Sequence, residues 1–161
     1  MSPNTFQRDE QACRRWAAED FPAIVRQTRR QKATLLFGDE TRVHEDGPIG
    51  RTWDLKGQRP VVRLSGWRRR LNVISALSSR GRLWFRCFRG TLTVPLFIAF
   101  LEALLHGVRG RIVLVLDRHP AHVAAATRRW LLQHRDRIVC HYLPPYAPQM
   151  NPDEHVWSQS V

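Results

Sequence analysis

The sequence predicts an α/β domain built on a mixed sheet, and three observations carry that reading. Ile112 to Leu116 is an unbroken branched aliphatic run, short enough for a strand and apolar enough to be covered on both faces. Leu71 to Leu77 and Arg82 to Phe88 are strand-like segments joined by Ser78, Ser79, Arg80 and Gly81, which is hairpin chemistry. From Thr93 onward helix-like and strand-like stretches alternate, the order that builds parallel strands through helical crossovers.

Composition fits one domain with a proper core: 161 residues, 43% of them hydrophobic. The balance of 26 basic and 14 acidic residues gives a net charge of +12, so a polyanion is the expected partner. Of the basic residues 24 are Arg, and guanidinium forks grip phosphate two oxygens at a time. Cys13, Cys87 and Cys140 are widely spaced, which suggests neither a disulfide framework nor a zinc ribbon and points to a reducing, cytoplasmic setting. No apolar stretch has the length of a membrane span, and the N-terminus is too polar for a signal peptide.

In chain order, residues 8–31 read as an amphipathic helix broken near Pro22, a lead-in to the domain, with a basic cluster at Arg26, Arg29, Arg30 and Lys32 that reads as a solvated face. Ala33 to Phe37 is the first strand, followed at once by Gly38, Asp39 and Glu40. Residues 44–60 are rich in Gly, Pro and charge and read as a long loop carrying Arg51 and Trp53; Val61 to Leu64 reads as a short strand. Arg68, Arg69 and Arg70 precede the hairpin, whose second strand turns Leu83, Phe85 and Cys87 to one face and Arg82, Trp84, Arg86 and Phe88 to the other. Thr93 to His106, with Pro95 early and Gly107 after it, is a helix. Val123 to His134 is another, Arg137 to Tyr142 the last strand, and a helical turn begins at Asn151 with Pro152. An antiparallel meander of three strands extended by helix-linked parallel strands is the ribonuclease-H-like pattern.

The site follows from where the carboxylates fall. Asp117 ends the central strand, at the carboxyl edge of the sheet where ligands gather in α/β folds. A turn former or helix N-cap fits it as well. In this topology the first strand neighbours the strand after the first helix, which brings Asp39 near Asp117. Two such carboxylates repel unless a cation lies between them, and hard divalent ions, Mg²⁺ or Mn²⁺, suit their oxygens. Glu154 on the last helical turn would complete a site for two ions roughly 4 Å apart. It also fits a capping box with Asn151, which requires no metal.

The segments LLFGDETRV, GRTWDLKGQRP, LVLDRHPAH and LPPYAPQMNPDEHVW resemble the successive motifs of DDE transposases of the mariner superfamily, in its bacterial insertion-sequence branch. The last is the most specific, a proline-rich YxPxxNPxE followed by Trp157. The resemblance implies that Asp39, Asp117 and Glu154 are the catalytic, metal-binding acidic triad of a DNA cleavage and strand-transfer reaction, in which water or a 3′-hydroxyl attacks a phosphodiester. It implies two Mg²⁺ or Mn²⁺ ions, transposon ends and target DNA as partners, a second copy of the chain or a full-length transposase beside it, no membrane partner, and a bacterial, nucleoid-associated location. It leaves Glu40 and Asp153 as bystanders.

The chain departs from the pattern at Arg118 and His119, where the family has a small polar residue, commonly Asn, directly after the second aspartate; Arg118 would either disfavour ion binding or grip the scissile phosphate. Gln149 and Met150 replace an acidic-leaning position. Residues 32–161 read as a catalytic domain truncated at its C-terminus and without the N-terminal DNA-reading helices, so a catalytically inactive remnant that binds DNA or a transposase partner stands as the alternative. Arg68, Arg69 and Arg70 are the expected basic rim for DNA. Trp53 with Arg51 suits stacking on an unpaired base and equally a pin holding the loop to the core. His122 reads as a support for the site or as packing at a helix start.

Overall fold

The computed structural model describes residues 4–43 and 71–145; Arg51, Trp53, Val61 to Leu64, Arg68, Arg69, Arg70 and Glu154 lie outside them. The described chain runs α1 (Asn4–Arg15), a π-helical turn (Trp16–Asp20), α2 (Phe21–Arg30), β1 (Thr34–Val43), β2 (Leu71–Ser78), β3 (Leu83–Arg89), α3 (Val94–Gly107), β4 (Ile112–Leu116), α4 (Pro120–Val123), α5 (Ala125–Gln133) and β5 (Ile138–Tyr142). Among these residues no helix is long and apolar enough to cross a membrane.

One five-stranded sheet in the order β3-β2-β1-β4-β5 organises the chain. The meander is antiparallel, with Leu36 opposite Ser78 and Val43 opposite Leu71, while β4 and β5 run parallel to β1, from Thr34↔Ile112 and Ile112↔Ile138. This is the mixed sheet the element order predicts. All five residues of β4 are buried, as an aliphatic strand with covered faces must be.

Two helical layers do the covering. On one face α3 and α5 bring Phe97, Phe100, Leu101, Leu104 and Trp130 against Leu36, Ile74, Ile112, Leu114 and Leu116. Thr93 caps α3 by accepting from the Leu96 N–H, and Pro95 sits in its first turn where a missing N–H costs nothing. The Trp84 and Phe88 face of β3 packs into this layer, whereas Phe85 and Cys87 on the opposite face are exposed.

On the other face Trp16 and Ile24 of the anticipated lead-in pack with Leu35, Phe37, Val113, Val115 and Leu143. The helix expected to break near Pro22 stays helical instead: a π turn, closed by the Phe21 N–H on the Trp16 carbonyl, leads directly into α2 with Pro22 in its first turn. A π turn inserts one extra residue. Trp16 and Ile24, eight apart in sequence, thereby fall on one stripe as residues seven apart do in a regular helix.

Two sequence expectations are corrected. β1 does not end at Phe37 but continues to Val43, so Asp39 and Glu40 lie within a strand. Its pairing with β4 stops at Phe37↔Val115 while pairing with β2 continues, and a strand with one neighbour left tolerates polar residues. The helix expected from Val123 to His134 begins at Ala125, because Val123 closes the short α4 and Ala124 between them is extended. The Thr127 hydroxyl donates to the Ala121 carbonyl at 2.7 Å and Tyr142 Oη donates to the His122 carbonyl at 2.9 Å, satisfying the short helix's terminal groups.

Candidate active site at the carboxyl edge of the sheet

Asp117 is the first residue past β4, and its side chain is 54% exposed. Its Oδ1 accepts from the His119 backbone N–H at 3.0 Å and lies 2.8 Å from His122 Nδ1. The first contact is an Asx turn, so the turn-forming role open to Asp117 is realised. The helix cap falls instead to His119, whose Nδ1 accepts from the Ala121 N–H at 3.1 Å. Partial burial pushes the Asp117 carboxyl up, but the His122 hydrogen bond and charge, together with the His119 N–H and charge, outweigh it and hold the group below its ordinary value.

His122 is 2% exposed and packs against Phe97 with the rings tilted, centroids 4.5 Å apart. With Nδ1–H donating to Asp117, its buried Nε2 has no partner among the described residues. The sequence marked His122 only as a support or as packing. Its ion pair depends on the turn through Pro120, which no spacing rule reveals.

Asp39 is half-buried, and its Oδ1 accepts from the Glu40 N–H at 2.8 Å. Carried two residues past Phe37↔Val115, the parallel register sets Asp39 level with Asp117. Strand alternation assigns Asp39 to the face of Leu35 and Phe37, whereas Asp117 lies past the end of β4 and its Oδ1 meets His122, which packs on Phe97 of the α3 layer. Gly38 makes the junction possible. A Cβ there would come within 2.5 Å of Leu116 Cδ2, so only hydrogen lets the two strands close directly before their carboxylates.

Glu40, expected as a bystander, is brought into the site: its Oε2 lies 3.6 Å from His119 Nε2. Since His119 Nδ1 is an acceptor, the proton sits on Nε2 and faces Glu40. Arg118 is exposed, and its Nε donates to the Leu143 carbonyl at 3.2 Å, tying the ends of β4 and β5. No group of three His, Cys, Asp or Glu residues poised for a metal occurs among the described residues. The two described aspartates are oxygen donors at one strand level, one of them held ionised, which suits a hard cation.

A ribonuclease-H-like mixed sheet with Asp39 inside β1 and Asp117 directly after β4 frames the candidate site. Residues 34–161 match the family described as DDE superfamily endonuclease, and the chain belongs to that family. A relative from Shigella sonnei, described as insertion element IS630 uncharacterized 39 kDa protein, is 30% identical over 127 residues; these are 76% of this chain and 36% of the relative, so the chain spans about a third of that protein. Among solved structures, the Mos1 strand transfer complex superposes with a TM-score of 0.62 at 18% identity, covering 98% of this chain and 47% of that one. The Mos1 mariner paired end complex with Mn gives 0.60 at 17%, covering 98% and 48%. The Mos1 mariner transposase catalytic domain gives 0.55 at 14%, covering 99% and 74%. At these identities the likeness to the solved structures is one of fold.

Proposed function

We propose that this chain carries the catalytic chemistry of a DNA transposase, metal-dependent cleavage and strand transfer, with Asp39, Asp117 and Glu154 as the acidic residues. The reading rests above all on the parallel β1–β4 register, whose last pair, Phe37↔Val115, falls two residues before Asp39 and Asp117. Membership of the DDE endonuclease family supports it, as do an insertion-element relative and neighbours whose structures are a paired end complex with Mn and a strand transfer complex.

Asp39 and Asp117, with Glu154 from the last segment, would hold two divalent ions, Mg²⁺ or Mn²⁺. When bound, such a pair activates an attacking oxygen and stabilises the leaving oxygen of a phosphodiester. His122 and the His119 N–H fix Asp117 Oδ1 and keep the carboxylate charged, while the side chain stays 54% exposed and open to a ligand. Arg118, beside Asp117 and exposed, would meet a phosphate at this edge with the guanidinium nitrogens not bound to Leu143. Arg51, Trp53, Arg68, Arg69 and Arg70 are the remaining DNA contacts of the proposal, transposon ends and target DNA its substrates, and a second copy or a full-length transposase its protein partner.

A cleavage assay tests the reading. The full chain is incubated with duplex carrying the terminal DNA of its own element, with and without Mg²⁺ or Mn²⁺. Metal-dependent nicking at a defined position that Asp117→Asn abolishes is the expected result. Equal activity in the variant sinks the triad assignment, and no cleavage by either protein supports a DNA-binding role without chemistry.

A further inference from the structure

The edge of the sheet opposite the carboxylates is strongly basic. The parallel strands all begin there, and Thr34 N–H and Ile112 N–H bond the carbonyls of Arg111 and Arg137, lacing the loops before β1, β4 and β5 side by side. The β2–β3 turn reaches the same end, because Ser78 pairs with Leu36 and Ser79 to Arg82 lie beyond it. Lys32, Arg80, Arg82, Arg109, Arg111 and Arg135 therefore gather at this edge, all exposed. None is ion-paired among the described residues, and Asp136 is the acidic residue among those loops.

One arginine of this edge is used by the fold. Arg137 donates to the carbonyls of Leu105, Val108 and Gly110, closing the end of α3 onto β4. Among the described residues the other basic side chains make no comparable tie, apart from Arg82 lying over the Trp84 ring at 5.5 Å. Lys32 adds a second observation. It sits at φ 51 where α2 ends, with Ala33 N–H on the Thr28 carbonyl and Lys32 N–H on the Arg29 carbonyl. That is a Schellman cap, whose left-handed position favours glycine, yet here it carries a cation.

We propose that this edge is a second DNA surface that binds the phosphate backbone of a duplex, separate from the strand held at the carboxylates. Adjacent strands lie about 4.8 Å apart, so the row from the β2–β3 turn to the loop before β5 is roughly 19 Å long. Duplex DNA presents one phosphate charge per about 1.7 Å of axis, hence about 11 over that length and five or six from one strand. Six cations in a line match one flank of the duplex, and five of them are guanidinium forks suited to phosphate oxygens. A backbone contact of this kind is independent of sequence.

The test is binding of a labelled 30-base-pair duplex to the full chain by fluorescence anisotropy across salt concentrations. The triple variant Arg80→Gln, Arg109→Gln, Arg135→Gln changes three exposed loop residues and is checked for folding by circular dichroism melting. Its log-affinity against log-salt slope is expected to be shallower by about 2.7 units, so that its loss of affinity between 50 and 200 mM salt is roughly 40-fold smaller. The corresponding Lys triple variant keeps the wild-type slope. Arg80→Gln alone, in the exposed turn, is expected to lose about 0.9 units and carries the test where the triple variant does not fold. Unchanged slopes overturn the proposal, as does competition by polyglutamate equal to that by duplex, which marks an acidic protein as the partner. The metal chemistry is a separate matter: Asp117→Asn removes cleavage but retains this binding.

Discussion

The β1–β4 junction makes a quantitative demand on Gly38. In Gly38→Ala the new methyl lies 2.5 Å from Leu116 Cδ2 and 3.6 Å from both Leu114 Cδ1 and the Ser75 carbonyl, where ordinary contacts begin at 3.4 Å. The strands or the leucine must give by about 1 Å, and Leu116 is 1% exposed within a close-packed layer. Overpacking of this kind costs about 1–3 kcal/mol, a large part of a stability usually near 5–15 kcal/mol. Leu116→Ala alone removes buried methyls and costs about 2–5 kcal/mol. In the double variant the alanine at 116 vacates the space the alanine at 38 requires. The two costs should therefore fail to add, the double variant being more stable than their sum by about 1–3 kcal/mol. Urea denaturation followed by tryptophan fluorescence, with the slope checked for constancy, measures all three. Because the clash lies directly before Asp39 and Asp117, Gly38→Ala should also weaken Mn²⁺ binding. Additivity within about 0.5 kcal/mol, or a neutral Gly38→Ala, would refute the close approach of the strands at this point.

Further predictions concern single side chains. Lys32→Gly relieves the left-handed cap and should raise stability by about 1 kcal/mol, read as a higher urea midpoint. Because Asp117 is held below its ordinary value near 3.8, its stabilising contribution is present above that pH and lost as pH falls through the lower folded value; the stability difference between wild type and Asp117→Asn should shift against the wild type from pH 5 to pH 2, and a constant difference would contradict the role of His122. His141 is pushed below its ordinary 6.5 by burial, only partly offset by Asp20, and its Nε2 lies 2.9 Å from Gln27 Oε1. The unfolded chain binds this proton more readily, so stability falls as pH drops through 6.5, and His141→Gln should show a flatter melting temperature between pH 7.5 and 5.5.

The legible parts of the fold were those fixed by local chemistry. β4 declared itself because five aliphatic residues in a row have few other uses, and the hairpin because Ser79 to Gly81 supply its turn. α3 was readable from Thr93, Pro95 and its apolar length. The length of β1 was not, since Asp39 to Arg42 are held by pairing with Asn72 to Ser75, residues 30 to 36 positions further along the chain. The break at Ala124 was hidden in an alanine-rich run, because it is set by contacts of Thr127 and Tyr142 and not by a breaker residue. Asp117 lies directly past β4 as the aliphatic run indicated, whereas Asp39, expected just past the first strand, lies within β1. Glu40 opposite His119, and His122 against Asp117, depend on a turn geometry that residue spacing does not encode.

The central claim is that Asp39 and Asp117 hold divalent metal together, and a Mn²⁺ titration followed by electron paramagnetic resonance or calorimetry tests it without DNA or turnover. The wild-type chain should bind Mn²⁺, and Asp39→Asn and Asp117→Asn, each still folded by circular dichroism, should both lose at least tenfold in affinity, whereas Glu102→Gln on α3 should bind as the wild type does. Wild-type affinity in both aspartate variants would contradict it.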